Sequence, residues 1–321
     1  MTNWDQPAAS NAGWFGCQVD QGPLAIIEVA FDATSSHRRV AAAGPAAMRQ
    51  ASHQVELTLI DGRCPAAASL QAESLDVAAP NQEAGQAMRA HRQHNYTDDQ
   101  HAQRVDQLAN QVDEALRQRL AALWANDTRV VVVGGDHGAV FGGLDAAAGH
   151  FSDLGVLQID AHADLRVAYE GVQASHASVM HRLISAHPNL PLVQVGLRDL
   201  GASEVERIAN TPNITAFYDE ALVQQQFLGM PWAEQARAII EALPSRVWLS
   251  LDIDGLDPSL CPHTGTPVPG GLTYYQACDL IDRVRRSGRQ LVGADLSEVA
   301  GDPYDALVGA RLLYRLLAGF L

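Results

Sequence analysis

Short runs of apolar, largely β-branched residues recur along this chain at intervals too long for hairpins, and that spacing limits the fold more than any other feature. They are LAIIEVAF from Leu24, VELTLI from Val55, RVVVV from Arg129, GVLQID from Gly155, LVQVG from Leu192, RVWLSLDID from Arg246 and QLVGAD from Gln290. A run that is apolar on successive residues belongs to a strand buried on both faces, and helices between such strands cover both faces of a parallel sheet. Between two of these runs Val105, Leu108, Val112, Leu116, Leu120 and Leu123 recur every three or four residues, on a helical face opposite Arg104, Asp113 and Arg117. A last helix is predicted from about Tyr304 to Leu321. The pattern predicts an α/β fold with a mainly parallel sheet, in a single domain over residues 1–321. Residues 1–22 read as an N-terminal extension, and the polar, aperiodic stretch 70–100 as an excursion or lid loop.

Charge and cysteine usage remove several classes of function. The formal net charge is -15, which disfavours nucleic acid and anionic membrane surfaces and suits a small cationic substrate. All 22 basic residues are arginine. That excludes a lysine Schiff base and the lysine of a phosphate-binding P-loop. Cys17, Cys64, Cys261 and Cys278 form no C-x-x-C pair, so neither a zinc ribbon nor a disulfide framework is written here. With no basic-then-apolar leader and no run near the length of a membrane span, the chain reads as cytoplasmic.

The chemistry lies where the apolar runs stop. RVVVVGGDHG delivers Asp136 and His137, GVLQIDAHADLR delivers Asp160, His162 and Asp164, WLSLDIDGLDPS delivers Asp252 and Asp254, and LVGADLSEV delivers Glu298. In an open parallel sheet these carboxyl ends converge on one edge, where ligands collect. Any one of these residues alone serves equally well as a strand-end turn or helix cap. Together they crowd carboxylates and imidazoles so closely that one or two divalent cations are needed to neutralise the acids, and the oxygen-rich mixture suits manganese, with nickel, cobalt or iron as alternatives. His91, His94 and His101 form the densest histidine run, but in a polar, aperiodic setting they read as solvated side chains.

GGDHG, DAHAD and SLDIDGLDPSLCPHTGTPVPGGLT resemble the signature motifs of the ureohydrolase superfamily of arginases and agmatinases. The likeness runs from AFDATSSHRR to DLSEV and is closest to the agmatinase branch. It implies a three-layer α/β/α sandwich around a mainly parallel eight-stranded sheet, assembled as a trimer or hexamer. It also implies two manganese ions, one held by His137, Asp160, Asp164 and Asp252 and the other by Asp160, His162, Asp252 and Asp254. The implied reaction is hydrolysis of a guanidinium group to urea and an amine. In it Glu298 pairs with the guanidinium, Asp254 takes a proton from the attacking water, His176 in ASHASVM relays a proton to the departing amine, and Thr266 supports Glu298.

Departures from the family pattern bear on the substrate. Gly138 stands where relatives usually carry serine, and Arg39 and Val40 replace a Pro-Gly in the N-terminal loop. DLRVAYEGVQASHAS lacks the Ser-Gly-Asn element by which arginases hold an amino-acid carboxylate, which argues against arginine and for agmatine, hydrolysed to putrescine and urea. Arg166 and Arg198 keep guanidino acids such as guanidinobutyrate, and formiminoglutamate, in view, alongside guanidine itself. A non-catalytic relative would show a broken ligand set or lack Glu298, and neither is seen; a binuclear phosphoesterase would need phosphate clamps, and release of urea or of phosphate separates the two.

Overall fold

The computed structural model describes residues 13–17, 19–97 and 99–321. Eight strands form one sheet: β1 Leu24–Val29, β2 Leu70–Ser74, β3 Arg129–Gly134, β4 Leu154–Ile159, β5 Leu192–Leu197, β6 Ile214–Tyr218, β7 Arg246–Asp252 and β8 Gln290–Ser297. Their order is β2-β1-β3-β8-β7-β4-β5-β6 and every pairing is parallel. Between them run helices α1 Gly44–Ala51, α2 Ala78–Gln93, α3 Asp99–Trp124, α4 Phe141–His150, α5 Val179–Ala186, α6 Ala202–Asn210, α7 Asp219–Phe227, α8 Trp232–Glu241, α9 Tyr274–Arg286 and α10 Pro303–Ala318.

Alternate strand residues feed two separate cores. Val131 and Val133 of β3, with Leu157 and Ile159 of β4, join the cluster under α1 and α8–α10. Val130, Val132, Leu154 and Val156 join the cluster under α2–α5. Both faces are covered, which is why the runs are apolar on successive residues. The register pairs Val133 with Leu296, Leu251 with Leu296, and Ile159 with Leu251, so the carboxyl ends of β3, β8, β7 and β4 lie side by side. The four chemistry-bearing strand ends are therefore neighbours in the middle of the sheet.

The structure corrects several of the sequence expectations at the margins. VELTLI is not a strand: Ser52–Gln54 forms a 3-10 turn and the chain from Val55 is irregular, with Val55, Leu57 and Leu59 half-buried against the core. The outermost strands, β2 (LQAES) and β6 (ITAFY), were not legible, because an edge strand buries less and carries polar residues. The stretch 70–100 is not a loop; it holds β2 and α2, and α2 buries Ala84, Gly85, Ala87, Met88 and His91, mostly small side chains that leave little hydrophobic period. His91 is thus a core residue, while His94 is exposed as expected. Residues 1–12 and 18 of the expected N-terminal extension lie outside the described residues, but Trp14 and Phe15 are fully buried, and the Trp14 indole donates to Glu28 Oε1 at 2.8 Å.

Candidate metal centre and active site

Each acidic pair builds its own turn just past a strand. Asp160, one residue beyond β4, accepts the His162 N–H on Oδ1 at 2.7 Å, and Asp252, the last residue of β7, accepts the Asp254 N–H on Oδ1 at 2.9 Å. These are Asx-type turns, so the side chains converge through turn geometry rather than strand alternation. Gly255 lets the two turns touch: a Cβ there would lie 2.6 Å from Asp160 N and 2.8 Å from Ile159 C. Asp164 (φ 54°) and Glu298 (φ 61°) both hold left-handed backbone conformations, a costly geometry for non-glycine residues that recurs at functional sites.

The six ligand-type residues meet in one buried cage. His137 Nδ1 lies 2.8 Å from Asp164 Oδ2, 3.1 Å from Asp160 Oδ2 and 3.5 Å from Asp252 Oδ2. His162 Nδ1 lies 3.1 Å from Asp254 Oδ2 and 3.6 Å from Asp160 Oδ1. Two sets of donor atoms, His137–Asp160–Asp164 and Asp160–His162–Asp254, each gather within 4.8 Å and share Asp160.

The supporting residues decide whether a cation fits. The Ser250 hydroxyl donates to Asp295 Oδ1 at 2.9 Å, so toward His137 Nε2, also at 2.9 Å, it can only accept. That puts an N–H of His137 on Nε2, so Nδ1 is the nitrogen on which a cation would take the place of a proton. Nδ1 is buried, makes no hydrogen bond and faces three carboxylate oxygens, an environment that a divalent cation satisfies and a second lone pair does not. Asp160 is fixed by a buried amide chain, in which Gln194 donates to Gln158 Oε1 at 2.6 Å and Gln158 donates to Asp160 Oδ2 at 2.7 Å.

Electrostatics of the bare cage agree. Burial and the neighbouring Asp160 raise the Asp164 carboxyl to about 7, and burial with Asp254 and Asp160 raises Asp252 well above the ordinary range. Burial opposes charge on the imidazoles, yet Asp254 and Asp160 lift His162 to about 12, and Asp160 and Asp164 lift His137 well above its usual value. Protons stand in for missing positive charge.

A cavity of about 150 Å³ opens on this cage. Glu298, Thr266 and His176 line it beside the cage residues, as do Ser36, Arg166, Tyr169, Asp199 and Glu204. Glu298 Oε1 accepts the His137 N–H at 3.0 Å, and burial, reinforced by Asp136, raises its carboxyl well above normal. His176 follows the N-cap Ser175 and packs edge-on against Tyr169 at 5.6 Å; burial and the nearby His162 and His137 push its imidazole down to about 3. Thr266 does not partner Glu298. Its hydroxyl lies 3.3 Å from Asp254 Oδ2, and it is the Thr264 hydroxyl that bonds Glu298, at the backbone carbonyl. Arg198 is turned away from the cavity, its guanidinium donating to carbonyls of Gly196, Asp254, Leu256 and Val268. Ser250 and Asp295 went unrecognised in the sequence because they sit inside apolar runs; their one signal is alternation, since Ser250 stands two residues before Asp252.

The sequence profile of the arginase family matches residues 23–319. An N(1)-aminopropylagmatine ureohydrolase from Thermus thermophilus is 37% identical over 207 residues, 64% of this chain and 65% of that protein. A guanidinopropionase from Pseudomonas aeruginosa is 36% identical over 203 residues, 60% of this chain and 61% of that protein. Each alignment thus spans somewhat less than two thirds of the relative's length. The fold is shared with a proclavaminate amidino hydrolase from Streptomyces clavuligerus, at a TM-score of 0.76 and 21% identity, covering 98% of this chain and 99% of that one. The chain belongs to the arginase family.

Proposed function

We propose that this protein hydrolyses the guanidinium group of a small cationic guanidino compound to urea and a primary amine, with agmatine, giving putrescine, as the first substrate to test. The observation that carries the reading is the buried Nδ1 of His137 facing three carboxylates, with the Glu298 carboxyl on the wall of the same cavity. His137, Asp160, Asp164 and Asp252 would hold one cation, and Asp160, His162, Asp252 and Asp254 a second. Manganese suits these hard oxygen and imidazole donors, with nickel or another divalent metal as the alternative. When bound, such cations supply Lewis acidity and make water a nucleophile near neutral pH.

The chain's own residues supply the remainder. Glu298, held by the His137 N–H, would pair with the guanidinium and fix its plane. Asp254, steadied by Ala161 N–H and Thr266, would take the proton of the attacking water. His176, kept neutral by its surroundings and so free to accept, would take up the proton that Asp254 removes from water and pass it to the nitrogen that leaves as the C–N bond breaks. Outside the cage, Asp199 is 69% exposed and lies 3.8 Å from His162, whereas Arg166 is already near Glu204, which also accepts the Leu165 and Gly201 N–H groups. An acid on offer and a neutralised arginine favour a second cationic group over a carboxylate. The names of the relatives support a guanidino substrate, aminopropylagmatine with a second cationic group and guanidinopropionate with a carboxylate.

The further reading is of a cytoplasmic homo-oligomer, a trimer or hexamer, acting on neither nucleic acid nor membrane. The exposed Phe227, Leu228 and Met230 offer an apolar patch that subunit contact would cover, and no helix among the described residues is long and apolar enough to cross a membrane. The test is urea release by manganese-loaded and nickel-loaded protein from agmatine, arginine, guanidinobutyrate, guanidinopropionate and guanidine. Urea from agmatine supports the proposal. Urea from the guanidino acids alone overturns the choice of substrate, and urea from none overturns the reaction.

A further inference from the structure

The loop after β4 makes one very tight turn beside the cavity. Tyr169 and Val172 exchange backbone hydrogen bonds in both directions at 2.9 Å, and the residues between them, Glu170 and Gly171, both have positive φ, 49° and 78°. Glycine adopts that geometry freely; glutamate does not, so contacts from outside the turn must hold it.

Those contacts come from the end of α2 and the turn after it. His91 Nε2 lies 2.9 Å from the Glu170 carbonyl oxygen. Arg92 donates to Glu170 Oε2 from Nε and Nη2, at 2.9 and 2.7 Å, and the Tyr96 hydroxyl donates to Oε1 at 3.0 Å. Arg92 Nη2 also donates to the carbonyl of Ser35 at 2.8 Å. Ser36 and Tyr169 both line the cavity. One guanidinium therefore ties together the two loops, after β1 and after β4, that carry them. Tyr169 in turn meets His176 edge-on and lies 5.2 Å from the Arg166 guanidinium.

We propose that Arg92 is a positioning residue that sets the width of the cavity mouth by clamping the Glu170 turn to the Ser35 loop, so that Tyr169 grips the part of the substrate beyond its guanidinium. Arg92 does not line the cavity, and no metal-ligand residue is among its partners. The identity of the substrate rests on the hydrolase reading above; the clamp itself does not.

Arg92→Met in the full, metal-loaded chain is expected to raise KM for agmatine, or for whichever tested compound the wild type hydrolyses, about 10-fold with kcat within about twofold. Inhibition by the bare guanidinium ion, which has no tail to grip, stays unchanged. Arg92→Lys keeps the charge but loses the planar fork that reaches both loops, and recovers part of the affinity. Glu170→Gln, which preserves shape, shifts KM in the same direction by less and serves if Arg92→Met does not fold. Independently of activity, amide exchange at Tyr169 and Val172 rises about 10-fold or more in Arg92→Met while β4 amides keep their protection. Equal losses for the substrate and for bare guanidinium, or unaltered exchange at Tyr169 and Val172, overturn the proposal. If the wild type releases urea from no guanidino compound, the hydrolase reading falls and the exchange measurement alone decides whether the clamp exists.

Discussion

The metal cage and the cavity mouth are a few ångströms apart and are built in opposite ways. Every ligand-type residue from Asp160 to Asp164, and from Asp252 to Asp254, lies within a few residues of a central strand end, and the leading carboxylate of each group closes its own turn. The mouth is assembled from loops whose placement depends on distant partners, as with Arg92 and Glu170, 78 residues apart. Reactive groups set by local turns tolerate change elsewhere in the chain, whereas a grip set by long-range contacts can be retuned without touching the reaction. The two regions should therefore fail differently when altered.

The largest effect is expected from the cage. Asp252→Ala removes a carboxylate facing His137 Nδ1 and the acceptor of the Asp254 N–H, so both halves of the cage lose a member. Urea release should fall by about 10³-fold or more, with at least one bound cation lost per chain while the circular dichroism spectrum stays native. Full metal content with full activity would mean that the cage is not the reactive centre. Next comes the support behind it: Ser250→Ala frees the tautomer of His137, and metal affinity measured against a competing chelator should drop by about 10- to 100-fold. Unchanged affinity would show that Ser250 serves packing alone.

Stripping the metal tests the charge balance. Asp164, raised from 3.8 to about 7 by burial and Asp160, binds an extra proton in the folded chain, so its contribution to stability declines as pH rises between those values. His137, lifted by Asp160 and Asp164 against the effect of burial, also favours the fold at low pH and loses that contribution as pH climbs through its raised value. Asp160, for which His137 and His162 outweigh burial and hold the carboxyl below 3.8, contributes fully above that pH and adds no slope near neutrality. With cations in place of protons the slope should vanish. Chelation is thus expected to lower Tm more at about pH 8 than at about pH 5.5, the difference exceeding about 2 °C. An equal loss at both values would break the link between cage charge and stability.

The contrast between cage and mouth also explains what the sequence alone conveyed. The six ligand-type residues, Glu298 and the central strands stand out because each is local: a buried run, then a turn of fixed spacing. The outermost strands β2 and β6 are hidden by their polarity, and α2 by its small buried residues, so residues 70–100 read as a loop although the end of α2 carries the His91 and Arg92 contacts to Glu170. The partner of Thr266 was misassigned because it depends on how the chain between Gly255 and Thr273 folds back, and the register that brings Ser250 opposite Asp295 is a property of the assembled sheet. Local chemistry is legible in a single chain; pairings made by tertiary closure are not.

The smallest effect is the one that most sharpens the comparison. Asp199 sits past β5 with its carboxylate 69% exposed and 3.8 Å from His162 Nε2, so it touches the outer side of the cage without entering it. Asp199→Asn keeps the size and removes the charge. A second cationic group of the substrate would lose an exposed, solvent-screened partner, whose contribution is at most about 1 kcal/mol. KM for agmatine should rise by about two- to fivefold, more at low salt than at high, with kcat and metal content unchanged. Guanidine, which lacks the second charge, should show no change. A fall in kcat for both compounds would instead place Asp199 behind His162 as part of the cage, and the boundary between reaction and grip would then run through the loop after β5.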